Sequence, residues 1–424
     1  MKRTAFALGL VALFASTSAS AIKVPTGNTD YDLNVSVLLQ GRYEGTFEAT
    51  TRKTLDSDFF IRRGRIAVGG TAFKVFSFFA QYDNSNLGKR GTTTSVGTAT
   101  NPGFVQDAII GFTPIPDFTI EGGLILEPSL RTLAYNSSGG QVQVEAPTDL
   151  IFDNLSRGFR MGGVQLRGFL GPAHLIHYRA GVYEGVHNAN VTGTGAAATP
   201  AVNTGGKPLV GGHVRVNILG DETGYGLNQM YLDGKPRASI GGAIQYQPKA
   251  ACTGTPTVAA GVTNCSIATG AGATAEVNDY KMFGGDAFID LPIGPTMEFA
   301  ASAAVVRWDW GSTNAPANAV GYQRTGTGYT GEVDLRIGGI APYAAFYQYA
   351  ADSGTSNKTA DRRKYAAGLC FFLKGHQSKV NVEWNNITPG QPGNPGAIAP
   401  VTTNATGLKG PATNAIWVQA QAAF

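Results

Sequence analysis

The segment LNVSVLLQGRYEGTF, residues 33–47, alternates between apolar and polar side chains along most of its length. Its odd-numbered positions, from Leu33 to Phe47, are aliphatic, aromatic or glycine. Its even-numbered positions include Asn34, Arg42 and Glu44. Because side chains two residues apart share one face of a strand, the segment predicts a β-strand with an apolar face and a charged face.

The same alternation recurs along the chain and predicts an all-β, antiparallel architecture of about sixteen strands. Short turns alternate with long connections rich in Gly, Thr, Asn, Ala and Pro, an arrangement typical of a transmembrane β-barrel. The secondary structure of residues 219–236 is ambiguous from the sequence, so the predicted number of strands could differ by two. The predicted strands lie near residues 33–47, 59–70, 75–82, 104–113, 118–126, 157–170, 175–183, 209–218, 237–247, 279–291, 297–308, 329–337, 342–349, 362–373, 379–385 and 414–424.

Closure of the strands into a barrel follows from the chemistry of the bilayer. An open edge in lipid would leave unpaired backbone groups, each costing several kcal/mol. A soluble β-sandwich or solenoid also alternates and is the main structural alternative. The polar faces carry charged residues in mid-strand, such as Glu332 and Asp334, and no linker divides the chain, so a single barrel with a wet interior is favoured.

The two ends of the chain predict export and assembly in the cell outer membrane of a Gram-negative bacterium. Lys2 and Arg3 precede an apolar stretch that is too short to span a bilayer, and Ala19-Ser20-Ala21 follows as a cleavage site. We therefore expect a signal peptide at residues 1–21 and a barrel domain at 22–424; an N-terminal anchor helix is the alternative. The alternating final segment ends on Phe424, which resembles the assembly signal of bacterial outer-membrane proteins.

Composition and motifs exclude several functions. Charged residues make up only 15% of the chain and the net charge is +4, which does not fit a nucleic-acid-binding protein. No G-x-S-x-G or G-x-x-x-x-G-K-[ST] sequence occurs, and the five histidines lack metal-ligand spacing, so we expect no enzyme, no cofactor and no metal. Cys252 and Cys265 are candidates for a disulfide; a metal site is the alternative there, and Cys370 is left over.

The segment Asp58-Phe59-Phe60-Ile61-Arg62-Arg63-Gly64-Arg65-Ile66 resembles the phosphate-selective porin O/P family. Phe79–Asp83, Val105–Phe112 and Arg157–Gly163 extend the resemblance, which covers about residues 30–185. It implies a homotrimeric, sixteen-stranded porin whose third extracellular loop folds into the lumen. The lysine cluster of the anion-selective members has no counterpart in the corresponding loop, so the resemblance does not extend to phosphate selectivity.

The polar faces of the predicted strands supply candidate pore-lining residues of both charges. Those candidates are Arg42, Glu44, Arg63, Arg65, Asp83, Asp107, Glu121, Arg160, Arg179, Arg215, Glu332, Asp334 and Arg336. The candidate constriction loop, residues 127–156, adds Arg131, Glu145, Asp149 and Asp153. We hypothesise that Asp149 and Asp153 oppose the arginines of the wall, whereas Arg62 falls on the outer face. The arginines could contact passing ions or could pair with acids of neighbouring strands.

These features together predict a water-filled pore for passive diffusion of ions and small hydrophilic solutes, with a mild preference for anions. Lipid and lipopolysaccharide would surround it, and a homotrimer is expected. The alternatives are a structural barrel that sheathes a partner protein or displays adhesive loops, and an outer-membrane enzyme. Aromatic residues expected at the membrane interfaces are Phe47, Tyr82, Phe112, Phe118, Tyr183, Trp308 and Trp384.

Overall fold

The computed structural model describes the chain from residue 21 onward, with gaps. The described ranges are 21–49, 51–52, 54–89, 103–146, 159–185, 207–252, 255–259, 262–266, 277–311, 325–352, 362–387 and 413–424. The signal-peptide prediction and the predicted loop acids Asp149 and Asp153 lie outside these ranges. The side chains of Cys252 and Cys265 are also outside the description, so their disulfide stays a prediction.

Nineteen strands are present in the described residues. They are β1 (Ile22–Val24), β2 (Tyr31–Glu48), β3 (Thr54–Ala72), β4 (Phe76–Asp83), β5 (Phe104–Ile115), β6 (Phe118–Leu126), β7 (Arg160–Leu170), β8 (Ile176–Tyr183), β9 (Leu209–Leu219), β10 (Arg237–Cys252), β11 (Thr255–Ala259), β12 (Val262–Ser266), β13 (Val277–Pro292), β14 (Met297–Asp309), β15 (Gly326–Ile337), β16 (Ile340–Ala351), β17 (Arg362–Lys374), β18 (Ser378–Ile387) and β19 (Thr413–Ala423). Sixteen of them form the barrel; β1 only pairs with β2, and β11 with β12 form a separate hairpin.

The barrel is a closed ring of antiparallel neighbours. Each barrel strand pairs with the next one in sequence, with β10 pairing β13, and the ring closes between β19 and β2. Closure is completed by Val37 and the terminal Phe424, whose backbone groups exchange two hydrogen bonds of 2.9 Å. The predicted all-β, sixteen-stranded barrel is therefore confirmed, and each predicted strand coincides with an observed one.

One end of the barrel carries most of the short turns, and the other carries most of the long connections. Six turns at the first end contain between two and five residues, whereas seventeen residues separate β9 from β10 at that same end. Short turns mark the periplasmic end of outer-membrane barrels, so we call it the turn end. The long connection, residues 220–236, is called the insert, and it accounts for the ambiguous reading of this stretch.

The outward faces of the strands are apolar, as contact with lipid requires. Exposed residues include Leu39, Ile66, Ile110, Val214 and Ile244, and each lies at an outward position of a different strand. Among the residues described, no helix is long and apolar enough to cross a membrane.

The interior is not an empty lumen. Residues 127–146, called the inner loop, leave the loop end after β6 and fold inward, beginning with a helical turn at Arg131–Tyr135. The insert enters from the turn end. The two segments bury apolar side chains such as Leu130, Leu227 and Met230 against inward-facing residues of β13–β17. Part of the barrel is thus packed like the core of a soluble protein.

Two of the predicted interface aromatics belong to that packed interior. Tyr183 and Trp308 are buried inside the barrel, so their assignment to the membrane interface was wrong. Tyr82, Phe112 and Trp384 are exposed on the outer face, where the prediction placed them. Position near a strand end was a weaker guide than the alternation of faces, because residue 183 follows the outward-facing Val182 and must point inward.

Candidate functional site

A cavity of about 270 Å³ lies to one side of the barrel interior. Inward-facing residues of β2–β5 form its outer wall, and the inner loop forms its opposite side. Tyr225 of the insert and Arg160 at the start of β7 also line it. Because charged side chains line this cavity between the wall and the inner loop, it is the candidate path for a solute.

Glu145 of the inner loop is the centre of the charge arrangement. Its carboxylate accepts hydrogen bonds from Arg42, Arg62 and Arg63, with Arg62 contributing two bonds of 2.9 and 3.1 Å. Burial alone would raise the pKa of Glu145, but the three guanidinium groups hold it well below its usual range. One negative loop side chain is therefore fixed against three positive groups of the wall.

A β-bulge explains why Arg62 belongs to this cluster. In the pairing of β2 with β3, Gln40 lies opposite Arg63 while Gly41 lies opposite Ile61, so Arg62 is an extra residue. A bulge interrupts the strict alternation of faces. Arg62 and Arg63 therefore both reach Glu145, and the prediction that Arg62 faces outward was wrong.

Two further ion pairs extend the charged wall. Arg65 Nε lies 2.8 Å from Asp83 Oδ2, and its Nη1 donates to Ser138 of the inner loop at 2.6 Å. Arg160 Nε lies 3.0 Å from Asp107 Oδ1. Among the described residues that line the cavity, four arginines therefore face three carboxylates. A solute in the cavity would meet charges of both signs, and planar guanidinium groups suit carboxylate and phosphate oxygens.

The inner loop is fastened to β2 and β18 through its own backbone. Lys379 Nζ donates to the carbonyl oxygens of Gly139, at 2.9 Å, and Gln141. The amide of Val144 donates to Glu383 at 3.0 Å, and its carbonyl oxygen accepts from Arg42 at 3.2 Å. These bonds satisfy backbone groups that would otherwise be buried without partners. They fix the side of the cavity that the loop forms.

The structure brings together only part of the predicted pore-lining set. Arg63, Arg65, Asp83, Asp107 and Arg160 line the cavity, together with Glu145 of the inner loop. Arg131, which belongs to the same loop, is fully buried away from the cavity. The other predicted residues do not line it. They are Arg42, Glu44, Glu121, Arg179, Arg215, Glu332, Asp334 and Arg336.

The acids of β13–β15 bind the interior segments rather than facing an open lumen. Glu332 accepts a hydrogen bond from Gln143 of the inner loop at 2.9 Å, and Asp334 accepts two from Gln229 of the insert, at 2.9 and 3.1 Å. The alternation correctly indicates that these carboxylates point inward. It carries no information about what covers them, and the insert was missed because it has no strand or helix period.

Inward-facing alanines of β14 and β16 are the sequence signal that could have indicated the filled interior. Ala300, Ala304, Ala341 and Ala345 occupy inward positions where the β2–β5 wall has long polar side chains. Small side chains leave room for the backbone of another segment to approach. In the part of the chain that is described, no group of three His, Cys, Asp or Glu residues could hold a metal ion.

A closed sixteen-stranded antiparallel barrel with a loop folded inside defines the fold of bacterial outer-membrane porins. In particular, the barrel resembles the anion-selective porin from Comamonas acidovorans, with 11% identity, a TM-score of 0.53, and coverage of 93% of this chain and 100% of that one. It also resembles the outer membrane channel DcaP of Acinetobacter baumannii, with 12% identity, a TM-score of 0.52, and coverage of 94% and 98%. A third similar structure is OprB of Pseudomonas putida, with 9% identity, a TM-score of 0.53, and coverage of 93% of this chain and 94% of that one.

At these identities the likeness establishes the fold. The barrel resembles outer-membrane porins of Gram-negative bacteria, in agreement with the predicted location in the outer membrane. No protein-family model and no curated protein matches the chain.

Proposed function

We propose that this chain is a passive outer-membrane channel for ions and small hydrophilic solutes, with a mild preference for anions. The single observation that carries the proposal is the off-centre cavity between the inner loop and the arginine-bearing wall of β2 and β3. A cavity lined by charged side chains inside the barrel supports movement of hydrated solutes rather than of lipid. No bond-making chemistry is assigned to it, and we propose that the chain is not an enzyme.

The proposed anion preference is based on which inward-facing carboxylates line the cavity and which bind other segments of the chain. The inward-facing acids of β13–β15 bind the inner loop and the insert and do not line the cavity. Among the described lining residues there are four arginines and three acids. This near balance supports a mild preference only, which agrees with the missing lysine cluster.

The finer family assignment and the assembly are also proposals. The segment that carries the resemblance to phosphate-selective porins, residues 58–66, forms the middle of β3 and contains the bulge that brings Arg62 inward. We propose a homotrimer in the outer membrane, in contact with lipopolysaccharide, after export by the predicted signal peptide. A barrel that sheathes a partner is less well supported, because the chain's own segments fill much of the lumen.

The test is single-channel recording of the purified protein in a planar bilayer with asymmetric potassium chloride. We expect discrete conductance steps and a reversal potential displaced toward chloride. The double variant Arg63→Ala with Arg65→Ala should lose this displacement, since two of the four lining arginines are removed. The matched control is Arg307→Ala with Arg336→Ala, because neither residue lines the cavity.

Two results would contradict the proposal. A folded barrel that shows no conductance in the bilayer would argue against an open channel. Unchanged conductance and reversal potential in the Arg63 and Arg65 double variant would show that ions do not pass the arginine-bearing wall.

A further inference from the structure

We propose that the insert, residues 220–236, determines the size of the pore: it closes the part of the lumen beside β13–β17 and confines solutes to the cavity beside β2–β5. This inference rests on the proposed channel function. It assigns a specificity-determining role to a segment that enters from the end of the barrel opposite the inner loop.

The length of the insert is not needed to connect its strands. Leu219 pairs with Ala238, so β9 and β10 are already adjacent at this end. The β13–β14 turn joins Pro292 to its partner Glu298 with only five residues between them. Residues 220–236 therefore exceed what a hairpin requires, and the excess chain lies inside the barrel.

A buried ion pair joins the insert to the inner loop. Arg131 Nη2 lies 2.8 Å from Glu222 Oε1, and both side chains are at most 2% exposed. The same nitrogen donates to the carbonyl oxygen of Asn228 at 2.6 Å. Tyr135 and Leu227 add a backbone hydrogen bond of 2.6 Å. Two segments that enter the barrel from opposite ends are thus bonded to each other in its interior.

Gly140 shows how closely the two backbones approach. A Cβ atom at this position would lie 2.0 Å from Asn228 Oδ1 and 3.1 Å from Asn228 Cα. A side chain at this position would displace the Asn228 side chain and press against the backbone of the insert. The contact is therefore a packed interface that leaves no room for a solute between the inner loop and the insert.

The insert is also fastened to the wall that it covers. Consecutive residues contact separate elements: Tyr231 N donates to Asp290 of β13 at 2.8 Å, and Leu232 N donates to Glu298 of β14 at 3.0 Å. Gln229 donates to Asp334 of β15. The Met230 side chain is fully buried among Ala300, Ala341, Tyr343 and Cys370. Carboxylates of three neighbouring wall strands therefore accept hydrogen bonds from the insert.

The test replaces residues 220–236 with the chain's own four-residue turn Ile293-Gly294-Pro295-Thr296. With Arg237 retained, this leaves five residues between Leu219 and Ala238, as in the β13–β14 turn. We expect the single-channel conductance to rise by about twofold or more, since conductance grows with the open cross-section. Larger polyethylene glycols should enter the pore and reduce its conductance, whereas in the unmodified protein they should be excluded.

The variant Glu222→Gln tests the same idea with the insert intact. It removes the charge partner of Arg131, so we expect excursions to a larger conductance level. Its matched control is Glu121→Gln, which breaks an equally buried pair with Arg167 on the wall, at 2.7 Å, away from the cavity. The control should keep the unmodified conductance.

The outcomes separate this inference from the proposed function. A conducting protein whose short-turn variant folds with the same conductance and polymer cutoff would overturn the inference alone. If that variant does not fold, as judged by heat-dependent gel mobility, unchanged conductance of Glu222→Gln overturns it. A silent unmodified protein with a conducting short-turn variant would support the inference and contradict the open channel.

Discussion

At the scale of single residues, the charge of the cavity wall depends on one carboxylate of the inner loop, which three arginines bind together. Glu145 is held by Arg42, Arg62 and Arg63, so most of its negative charge is neutralised where it lies. An ion pair inside a protein is strong only when geometry and hydrogen bonds compensate for lost hydration. Here three guanidinium groups around one carboxylate supply that compensation.

Replacement of Glu145 by Gln should increase anion selectivity. Removal of the carboxylate leaves three guanidinium groups without their shared partner, so the field in the cavity becomes more positive. We expect the permeability ratio of chloride to potassium to rise severalfold. A tenfold rise would correspond to a change of roughly 1.4 kcal/mol in the relative free energies of the two ions in the pore. The measurement is the reversal potential in asymmetric potassium chloride.

Glu121→Gln is the control for this prediction as well, because it neutralises an equally buried carboxylate outside the cavity lining. An unchanged reversal potential in Glu145→Gln would show that this carboxylate does not influence ion choice.

The alternation of apolar and polar residues predicts the inward face correctly for some residues and wrongly for others. It placed Arg63, Arg65 and Asp83 on the inward face without knowledge of the fold, and the structure has them there. It misplaced Arg62 because a single bulged residue reverses the phase for its neighbours. Nothing in the run Arg62-Arg63-Gly64 distinguishes a bulge from a regular strand, so only the pairing with β2 reveals it.

At the scale of elements, the inner loop acts as a wall of the cavity because it is bonded along its backbone. Lys379 is the principal contact, since one ammonium group binds the carbonyl oxygens of Gly139 and Gln141. A hydrogen bond to a charged group contributes about 1.5–3 kcal/mol. The loop therefore keeps its position through side chains of strands that lie across the lumen.

Replacement of Lys379 by Met should loosen the inner loop. Loss of the two bonds leaves buried carbonyl oxygens without that donor, so we expect increased open-channel current noise and closure at lower applied voltage. Recording at increasing voltage measures both. Lys374→Met is the matched control, because the Lys374 side chain is exposed at the turn end. Equal noise and equal closing voltage in the two variants would argue against a role of Lys379 in holding the loop.

The sixteen barrel strands could be predicted from sequence because each one has its own period-two signal. The insert could not, since its fold depends on partners far away in the chain, such as Glu298 and Asp334. The same holds for the inner loop, whose inward course was expected only from the family resemblance. Local patterns specify local structure, whereas the filling of a cavity is decided by tertiary contacts.

At the scale of the whole molecule, the barrel is asymmetric in its interior. One side is packed with apolar side chains around Leu227 and Met230, and the other keeps the charged cavity. The outer surface stays apolar around the ring, as lipid contact or subunit contact requires. The cavity is therefore off-centre, and in the proposed trimer each copy would contribute a separate path.

The proposed assembly predicts a heat-sensitive trimer. In gels with sodium dodecyl sulfate, unheated protein should migrate differently from boiled protein, because a closed barrel has no free strand edge for the detergent to attack. Cross-linking in mild detergent should give a product of three chains, and conductance steps should appear in groups of three. A single-chain mass in every mild detergent tested would contradict the trimer, though not the channel.

The joining of the insert to distant strands has a consequence for how the protein folds. Its partners include Arg131, which precedes it by about ninety residues, and His376, whose Nε2 lies 2.6 Å from the Met230 carbonyl oxygen. Contacts between residues far apart in sequence form slowly, since long stretches of chain must first be ordered. The interior can therefore be completed only after the last strands arrive, so we expect the ring of strands to form first and the lumen to acquire its final packing as a separate, later kinetic phase.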